Sequence, residues 1–411
     1  MIAEAFHTAL DQIFQNEPPA NLGLAVSGGG DSLALMHLAA RWAQGAQVRL
    51  HVVTIDHGLR GDSAAEAATV AIWAGALNLP HDTLRWTGWD GRGNLQSAAR
   101  TARRDLIGGW ARDRGIDCVA TGHTRNDQAE TVLLRLARGS GVDGLAGMAG
   151  VSGQSPVWLR PLLRLSREDL RGWLRDNDIS WFDDPSNDDP RFDRVRARQM
   201  QTHLSELGLT PERLATLANH MGNAREVLRH DTQALATRIV VQDGGDLLFD
   251  RAGLESALSE LQNRLLAAAV MWIASGRYRP RYDALRRFGR NGVADTLAGC
   301  LLSHEGETIR LCREYNAVKD LRSPTSEPWD NRWILSGPHA PDLHVAALGP
   351  QGLQKCPGWR ATGQPQPSLI VSPAVWRDDT LIAAPLAGLN GDWTAQLAKD
   401  RDDFTRFLLS H

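Results

Sequence analysis

The sequence predicts an α/β catalytic domain, an open parallel sheet of about five strands with helices on both faces, then a helical domain and a small β-rich domain. Three observations predict it. Short apolar runs alternate with helical-period stretches through the first 200 residues. Between 200 and 290, Leu204, Leu207, Leu214, Leu217, Leu265, Leu266 and Trp272 recur at positions suited to helix cores. Beyond 329, short alternating runs are broken by many Pro and Gly residues. The expected domains are 1–200, 201–322 and 329–411, with a Pro/Ser/Thr-rich linker at Ser323–Pro328, and 411 residues suit two to three domains.

In order, Leu22–Val26 reads as a first strand, and Asp31–Ala43 as a helix with Leu35, Met36, Leu38, Ala39 and Trp42 at helical spacing. Val48–Ile55 is a second strand. Ser63-Ala64-Ala65-Glu66 is a capping box that opens a helix to about Asn78. Thr83–Trp86 is a third strand, and Asn94–Arg114 a long helix. Cys118–Thr121 is a fourth strand, Asn126–Arg138 a helix and Val157–Leu159 a fifth strand. Ser180–Asp193, rich in Asp, Pro, Ser and Asn, is a loop with a boundary after it.

Composition excludes several chemistries. The net charge of −3 is not that of a generic polyanion binder. Lysine occurs only at Lys319, Lys355 and Lys399, so neither a P-loop lysine nor a Schiff-base lysine can operate in the first 300 residues. Cys118, Cys300, Cys312 and Cys356 form no close pair, which excludes a disulfide framework and a CxxC site. No apolar run approaches the ~20 residues of a membrane span. The N-terminus lacks a basic head before an apolar stretch, so a cytoplasmic protein without membrane association is expected.

The first strand runs into Ser27-Gly28-Gly29-Gly30-Asp31-Ser32, a glycine-rich turn that opens a helix. Glycines let main-chain N–H groups approach an anion without Cβ atoms intervening, and the helix N-terminus adds partial positive charge. Ser27 and Ser32 supply hydroxyls, so pyrophosphate can be held without a lysine. The string has neither the Gly-Lys-Ser/Thr of a Walker loop nor GxGxxG. The structural alternative is a tight turn capped by Asp31 or Ser32.

This string resembles the signature of the PP-loop (ATP-pyrophosphatase) superfamily. Four further strings narrow the resemblance: Asp56-His57-Gly58-Leu59-Arg60, then Thr121-Gly122-His123-Thr124-Arg125-Asn126-Asp127-Gln128-Ala129-Glu130-Thr131, then Arg160-Pro161-Leu162-Leu163 and Asp184-Pro185-Ser186-Asn187. Together they resemble the tRNA(Ile)-lysidine synthetase family across residues 22–198, more thinly beyond. The resemblance implies that ATP, with Mg²⁺, adenylates the C2 oxygen of the wobble cytidine in an isoleucine tRNA with a CAU anticodon. The side-chain amine of free L-lysine then displaces AMP. It also implies a homodimer. The competing readings are a tRNA thiolase of the same superfamily, which the scattered cysteines disfavour, and a non-catalytic nucleotide- or tRNA-binding protein.

Asp127 and Glu130 are three residues apart on a predicted helix and so share a face, where they can hold an ammonium or Mg²⁺ and receive a proton, the alternative being a solvated helix face of ordinary acids. Asp31 is read both as a helix cap and as a metal-linked carboxylate, and the metal set is Asp31 with Asp127. Asp56 is read as an adenosine contact or a turn cap, and His123 as a phosphate contact, an orienter of Asp127 or a structural histidine. Arg100, Arg103 and Arg104 suit substrate phosphates or surface salt bridges. The family commonly has Arg-Asn-Arg-Ile-Arg where this chain has Arg194-Val195-Arg196-Ala197-Arg198, so the arginines remain as tRNA contacts and the asparagine does not. Arg279, Arg281 and Arg287 lie in the most basic cluster outside the catalytic domain, with Arg277, Tyr278, Tyr282, Arg286 and Arg290, and suit tRNA phosphates or a solvated face. Trp329, Trp333, Trp359 and Trp376 are expected to fill cores.

Overall fold

The structure is a computed structural model that describes residues 2–58, 63–89, 95–153, 155–183, 193–276, 278–289, 292–399, 401 and 403–410. It divides into two compact units, Met1–Arg225 and Glu226–His411.

Unit 1 contains the strands β1 (Asn21–Ala25), β2 (Arg49–Asp56), β3 (His81–Arg85), β4 (Cys118–Thr121), β5 (Val151–Ser152) and β6 (Val157–Leu159). Its helices are α1 (Ile2–Phe14), α2 (Gly30–Ala46), α3 (Ser63–Ala76), α4 (Leu95–Asp113), α5 (Arg125–Ala137), α6 (Val142–Leu145), α7 (Arg167–Asp176) and α8 (Asp193–Glu206). A long helix, α9 (Pro211–Ile239), carries the chain through the boundary between the units. The sheet order is β3-β2-β1-β4-β6-β5, parallel except for the two-residue edge strand β5. The expected five parallel strands are all present, within about two residues of the expected bounds.

Strand alternation explains the helices on both faces. Leu22 and Leu24 of β1 join Phe6 and Leu10 of α1, Leu33 and Leu35 of α2 and Leu170 and Leu174 of α7 in one core. Ala25 points the other way, to Ile107 and Trp110 of α4. Gly23 shares that face, where a Cβ would lie 3.0 Å from the Trp110 ring, so the indole packs directly on the strand. After β3 the chain returns across the sheet to β4, and the strand order reverses between β1 and β4. In an open α/β sheet the crevice outside the carboxyl ends at that reversal is where ligands bind.

Unit 2 has a five-stranded antiparallel sheet, β7 (Val240–Asp243), β8 (Asp246–Asp250), β9 (Asp295–Leu297), β10 (Cys300–Glu305) and β11 (Thr308–Arg313), in the order β7-β8-β11-β10-β9. It packs on the helix Ser259–Ala274, whose Leu265, Trp272 and Ile273 are fully buried. Then follow β12 (Arg322–Pro324), β13 (Trp333–Ser336), β14 (His344–Ala347), β15 (Pro373–Arg377), β16 (Thr380–Ala383) and β17 (Thr394–Leu397), the expected β-rich end of the chain. Trp329 and Trp333 are buried in its core, while Trp359 and Trp376 pack half-buried against a neighbouring one.

The stretch 200–290, read as helical, contains the hairpin β7–β8. Buried charge disguises it. Asp243, half-buried, and Asp246, buried, bind Arg310 Nη1 at 2.9 and 3.0 Å, and Arg310 also pairs with Glu305 at 3.0 Å. Of the stretch read as a linker, Ser323 and Pro324 lie in β12 and Thr325 is buried. Among the described residues no helix is long and apolar enough to cross a membrane.

Candidate active site

The phosphate loop leaves β1 and enters α2 beside the reversal point. Gly28 has φ +85°, and a Cβ there would sit 2.7 Å from the Phe182 ring. Phe182 donates its N–H to the Gly28 carbonyl at 2.9 Å, and its ring packs on Trp73. Trp181 and Phe182 therefore lie along the loop, a neighbour the sequence reading did not identify. Gly29 is the N-cap of α2 and no side chain caps that helix, so neither Asp31 nor Ser32 fills the capping role. Instead the Ser32 hydroxyl donates to the Gly29 carbonyl at 2.9 Å and accepts the Ser27 N–H at 3.1 Å. An α-helix leaves its first N–H groups without i−4 partners. Here the Ser32 N–H donates to the Gly29 carbonyl at 3.0 Å and Gly29 bridges Phe182, while no side chain caps the turn, and such a glycine-led N-terminus suits an anion.

Gly122, at the end of β4, lets this loop meet the second motif. A Cβ at Gly122 would lie 3.0 Å from backbone atoms of Asp31 and Ser32, so glycine is required for α2 to begin beside β4. Two residues on, Thr124 caps α5 in a reciprocal box with Asp127, whose Oδ2 accepts both the Thr124 N–H and its hydroxyl at 2.8 Å.

Asp31, Asp127 and Glu130 converge on one guanidinium. Arg167 donates Nε–H to Asp31 Oδ2 at 3.0 Å and an Nη2 hydrogen to Asp127 Oδ1 at 3.2 Å, with Nη1 3.6 Å from Glu130 Oε1. Its own backbone N–H donates to Asn126 Oδ1 at 2.9 Å, which ties the start of α7 to the start of α5. Arg198 of α8 adds a bond to Glu130 Oε1 at 3.0 Å, and Arg194 Nη1 lies 4.0 Å from Asp127 Oδ1. Asp31 Oδ1 and Glu130 Oε2 are buried and have no donor among the described residues.

This arrangement splits the acids by charge preference. Burial raises Asp127, but Arg167 and the two Thr124 bonds outweigh it and hold the carboxyl below the usual range. Burial and the Asp127 charge push Glu130 up against the pull of Arg198 and Arg167. Asp31 is likewise raised by burial and by Asp127, with Arg167 opposing. Separated pKa values within one cluster suit an acceptor of protons beside a permanent anion.

His123 bonds Thr121 Oγ1 through Nδ1 at 2.8 Å. Burial, together with the charges of Arg160, Arg194 and Arg103, lowers its pKa to about 3 against the opposing effect of Asp127. A histidine with a folded value below its unfolded ~6.5 stays neutral at pH 7. It draws unit 1 towards unfolding as pH falls from about 6.5 towards 3, because the unfolded chain takes up the proton first. Titration of the imidazole signals by NMR should show His123 uncharged down to pH 5; a midpoint near 6.5 would contradict this environment.

The remaining sequence candidates separate. Asp56 Oδ1 accepts the Gly58 N–H at 2.9 Å and the Ser63 hydroxyl at 2.6 Å, the turn-capping alternative, at the carboxyl end of β2. Those two bonds, the hydroxyl foremost, lower its pKa. Leu59, Arg60 and Asp184–Asn187 lie outside the described residues. Arg194 and Arg198 reach the acidic cluster, whereas Arg196 is exposed and pairs with Asp193. Val195 and Ala197 are buried, so the position where the family commonly has asparagine is a packing position here. Arg104 stacks over the Trp158 ring at 5.4 Å. In unit 2, Tyr278 and Tyr282 are 85% and 58% exposed, and Arg279, Arg281, Arg286 and Arg287 are exposed around them. Arg277 and Arg290 lie outside the described residues.

Mg²⁺ binds through one or two carboxylates plus substrate phosphates, not through an all-protein cage. The bare, buried Asp31 Oδ1 beside the phosphate loop fits that requirement. Asp127 fits it less well, because both its oxygens already accept hydrogen bonds. Among the described residues no group of three or more His, Cys, Asp or Glu could hold a metal ion.

A family model described as a PP-loop domain matches residues 2–204. A tRNA(Ile)-lysidine synthase of Ruegeria pomeroyi is 48% identical over 97% of this chain and 96% of its own length. A tRNA(Ile)-lysidine synthase of Wolbachia pipientis wMel is 33% identical, covering 93% of this chain and 94% of its own. A third, from a Bradyrhizobium strain, is 40% identical over 71% of this chain and 89% of its own.

Proposed function

The chain belongs to the tRNA(Ile)-lysidine synthase family, with a PP-loop domain at its N-terminal end, and from that premise we propose the reaction its site performs. It ligates free L-lysine to C2 of the wobble cytidine of isoleucine tRNA with a CAU anticodon. ATP is consumed through an adenylated cytidine, and AMP and pyrophosphate are released. The observation that carries this reading is the uncapped N-terminus of α2 set beside the Asp31–Asp127–Glu130 cluster at the strand-order reversal.

The first step forms a bond between the cytidine O2 and the α-phosphorus and breaks the α–β bridge. The Gly28–Ser32 amides and the α2 dipole hold the departing pyrophosphate, which removes the need for a lysine ammonium. Mg²⁺ held by Asp31 supplies further neutralisation of phosphate charge when bound. In the second step the lysine ε-nitrogen attacks C2 and AMP leaves with the oxygen. An alkylammonium has a pKa of about 10.4 in water, so the amine must first give up a proton. Glu130 is the proposed acceptor: its Oε2 is buried and bare, and burial has raised its proton affinity. Asp127, already saturated with donors, acts as the fixed anion beside it. His123, neutral, offers a hydrogen bond and not a charge. Arg194, Arg196 and Arg198, with Arg279, Arg281 and Arg287 of unit 2, are the proposed tRNA contacts.

Thiolation is the weaker reading. Three of the four cysteines are buried, Cys300, Cys312 and Cys356, all in unit 2. Burial pushes the Cys300 thiol up to about 12 and raises Cys118 as well, away from the nucleophilic thiolate. The test is incubation with ATP, Mg²⁺, radiolabelled lysine and an isoleucine CAU transcript, with methionine tRNA as control. Label is expected in the isoleucine transcript alone. No label, or label in the control alone, would reject the assignment.

A further inference from the structure

Each carboxylate of the cluster uses one oxygen on Arg167: Oδ2 of Asp31, Oδ1 of Asp127 and Oε1 of Glu130. The oxygens left over differ in fate. Asp127 Oδ2 is taken by Thr124, while Asp31 Oδ1 and Glu130 Oε2 stay bare and buried. Such a division requires a donor with several fixed N–H vectors, which a guanidinium has and an ammonium lacks. Arg167 is itself fixed. It is the first residue of α7, whose N-cap Ser166 accepts the Asp169 N–H, and its backbone N–H is held by Asn126. Its side chain is only 18% exposed.

We propose that Arg167 is a positioning residue for the reaction assigned above, holding three mutually repelling acids so that one oxygen of Asp31 faces the nucleotide's cation and one oxygen of Glu130 faces the incoming amine. Arg167 does not occupy the amine's place, because the oxygens it contacts are not the bare ones. Its charge also sets the balance of the site. Three carboxylates face Arg167 and Arg198, with Arg194 4.0 Å from Asp127. Removing one cation leaves the cluster more anionic, so it attracts the lysine ammonium more strongly but in the wrong place. Misplacement of a reacting group by about 1 Å is enough to cost about 100-fold in rate.

The consequence is a split between kcat and KM that simple damage to the fold does not produce. In Arg167→Gln, kcat for lysine transfer should fall about 100-fold while KM for lysine falls below that of the wild type. In Arg167→Lys, which keeps the charge and loses the fork, KM should return to the wild-type value while kcat recovers only in part. Lysine binding by equilibrium dialysis, in the presence of a non-hydrolysable ATP analogue, should follow the KM pattern. Kinetics and thermal melting of the full chain provide the check. Arg167→Gln with kcat within threefold of wild type overturns the role. So does a loss of kcat at unchanged KM in both variants with a lowered melting temperature, which would mark Arg167 as structural. If Arg167→Gln does not fold, Arg167→Lys decides alone: full wild-type kcat overturns the role, and reduced kcat at wild-type KM and melting temperature supports it. A wild-type enzyme that transfers no lysine would defeat the reaction and this role together. A wild-type enzyme that does so, beside indistinguishable variants, defeats the role only.

Discussion

Asp127→Asn should reduce lysine transfer to tRNA by about 100- to 10,000-fold, the range expected when a charged group of an acid–base cluster is lost, while the protein stays folded. Asp127 faces donors on both sides, Thr124 at Oδ2 and Arg167 at Oδ1. An asparagine has one acceptor and one donor end, so it can satisfy only one side. The lower-cost orientation keeps its oxygen on the Thr124 N–H, because the Thr124 hydroxyl can rotate to accept and the backbone N–H cannot. The amide NH₂ then opposes Arg167. The α5 cap survives, with a loss of about 1 kcal/mol, and the damage falls on the placement of Arg167, Asp31 and Glu130. The measurements are label incorporation and thermal melting. Activity within threefold of wild type would remove Asp127 from the mechanism.

Gly28→Ala should weaken ATP binding by about tenfold or more. An L-residue at φ +85° already carries about 1–2 kcal/mol of strain. The new Cβ also stands 2.7 Å from the Phe182 ring and 3.1 Å from a Val70 methyl, so the loop or the 181–183 segment must shift. A shift in the loop moves the amides that hold the pyrophosphate. Gly45→Ala, in the last turn of the same helix with nothing within 4 Å of its Cβ, is the control. It should leave ATP affinity unchanged and stabilise α2 by at most about 0.5 kcal/mol, the low end of the mid-helix range, because it lies next to the helix end. Calorimetric titration with a non-hydrolysable analogue distinguishes the two. Equal affinities for both variants would mean that the turn does not hold the nucleotide.

The site was legible wherever it is local in sequence. The turn Ser27–Ser32 follows a short apolar strand and opens a helix, as its pattern predicts, and Asp127 and Glu130, singled out inside a string that resembles the family, share one face of α5 as their spacing predicts. What brings them together was not legible. Arg167 and Asp31 are 136 residues apart, and Ser166-Arg167-Glu168-Asp169 reads as an ordinary capped helix start. Trp181 and Phe182 likewise read as part of a loop, because their partners at Gly28, Gly30 and Trp73 are distant in sequence. From sequence Asp31 suits a helix cap as well as a metal-linked carboxylate; the structure shows no side-chain cap on α2 and places Asp31 on Arg167. In unit 2, β8 turns Leu247 and Phe249 to the core and buries Asp246 on its opposite face, where Arg310 of β11 pairs with it. A polar residue buried through a distant partner breaks the alternation by which strands are read.

In the proposed reaction, main-chain amides at the start of α2 grip the nucleotide's leaving group. A crystal structure of the full chain with a non-hydrolysable ATP analogue tests this directly. The β- and γ-phosphate oxygens should lie within about 3.2 Å of amide nitrogens in Gly28–Ser32, with Asp31 beside the phosphates. A triphosphate bound elsewhere, with Ser27 and Ser32 still hydrogen-bonded across an unchanged turn, would contradict it.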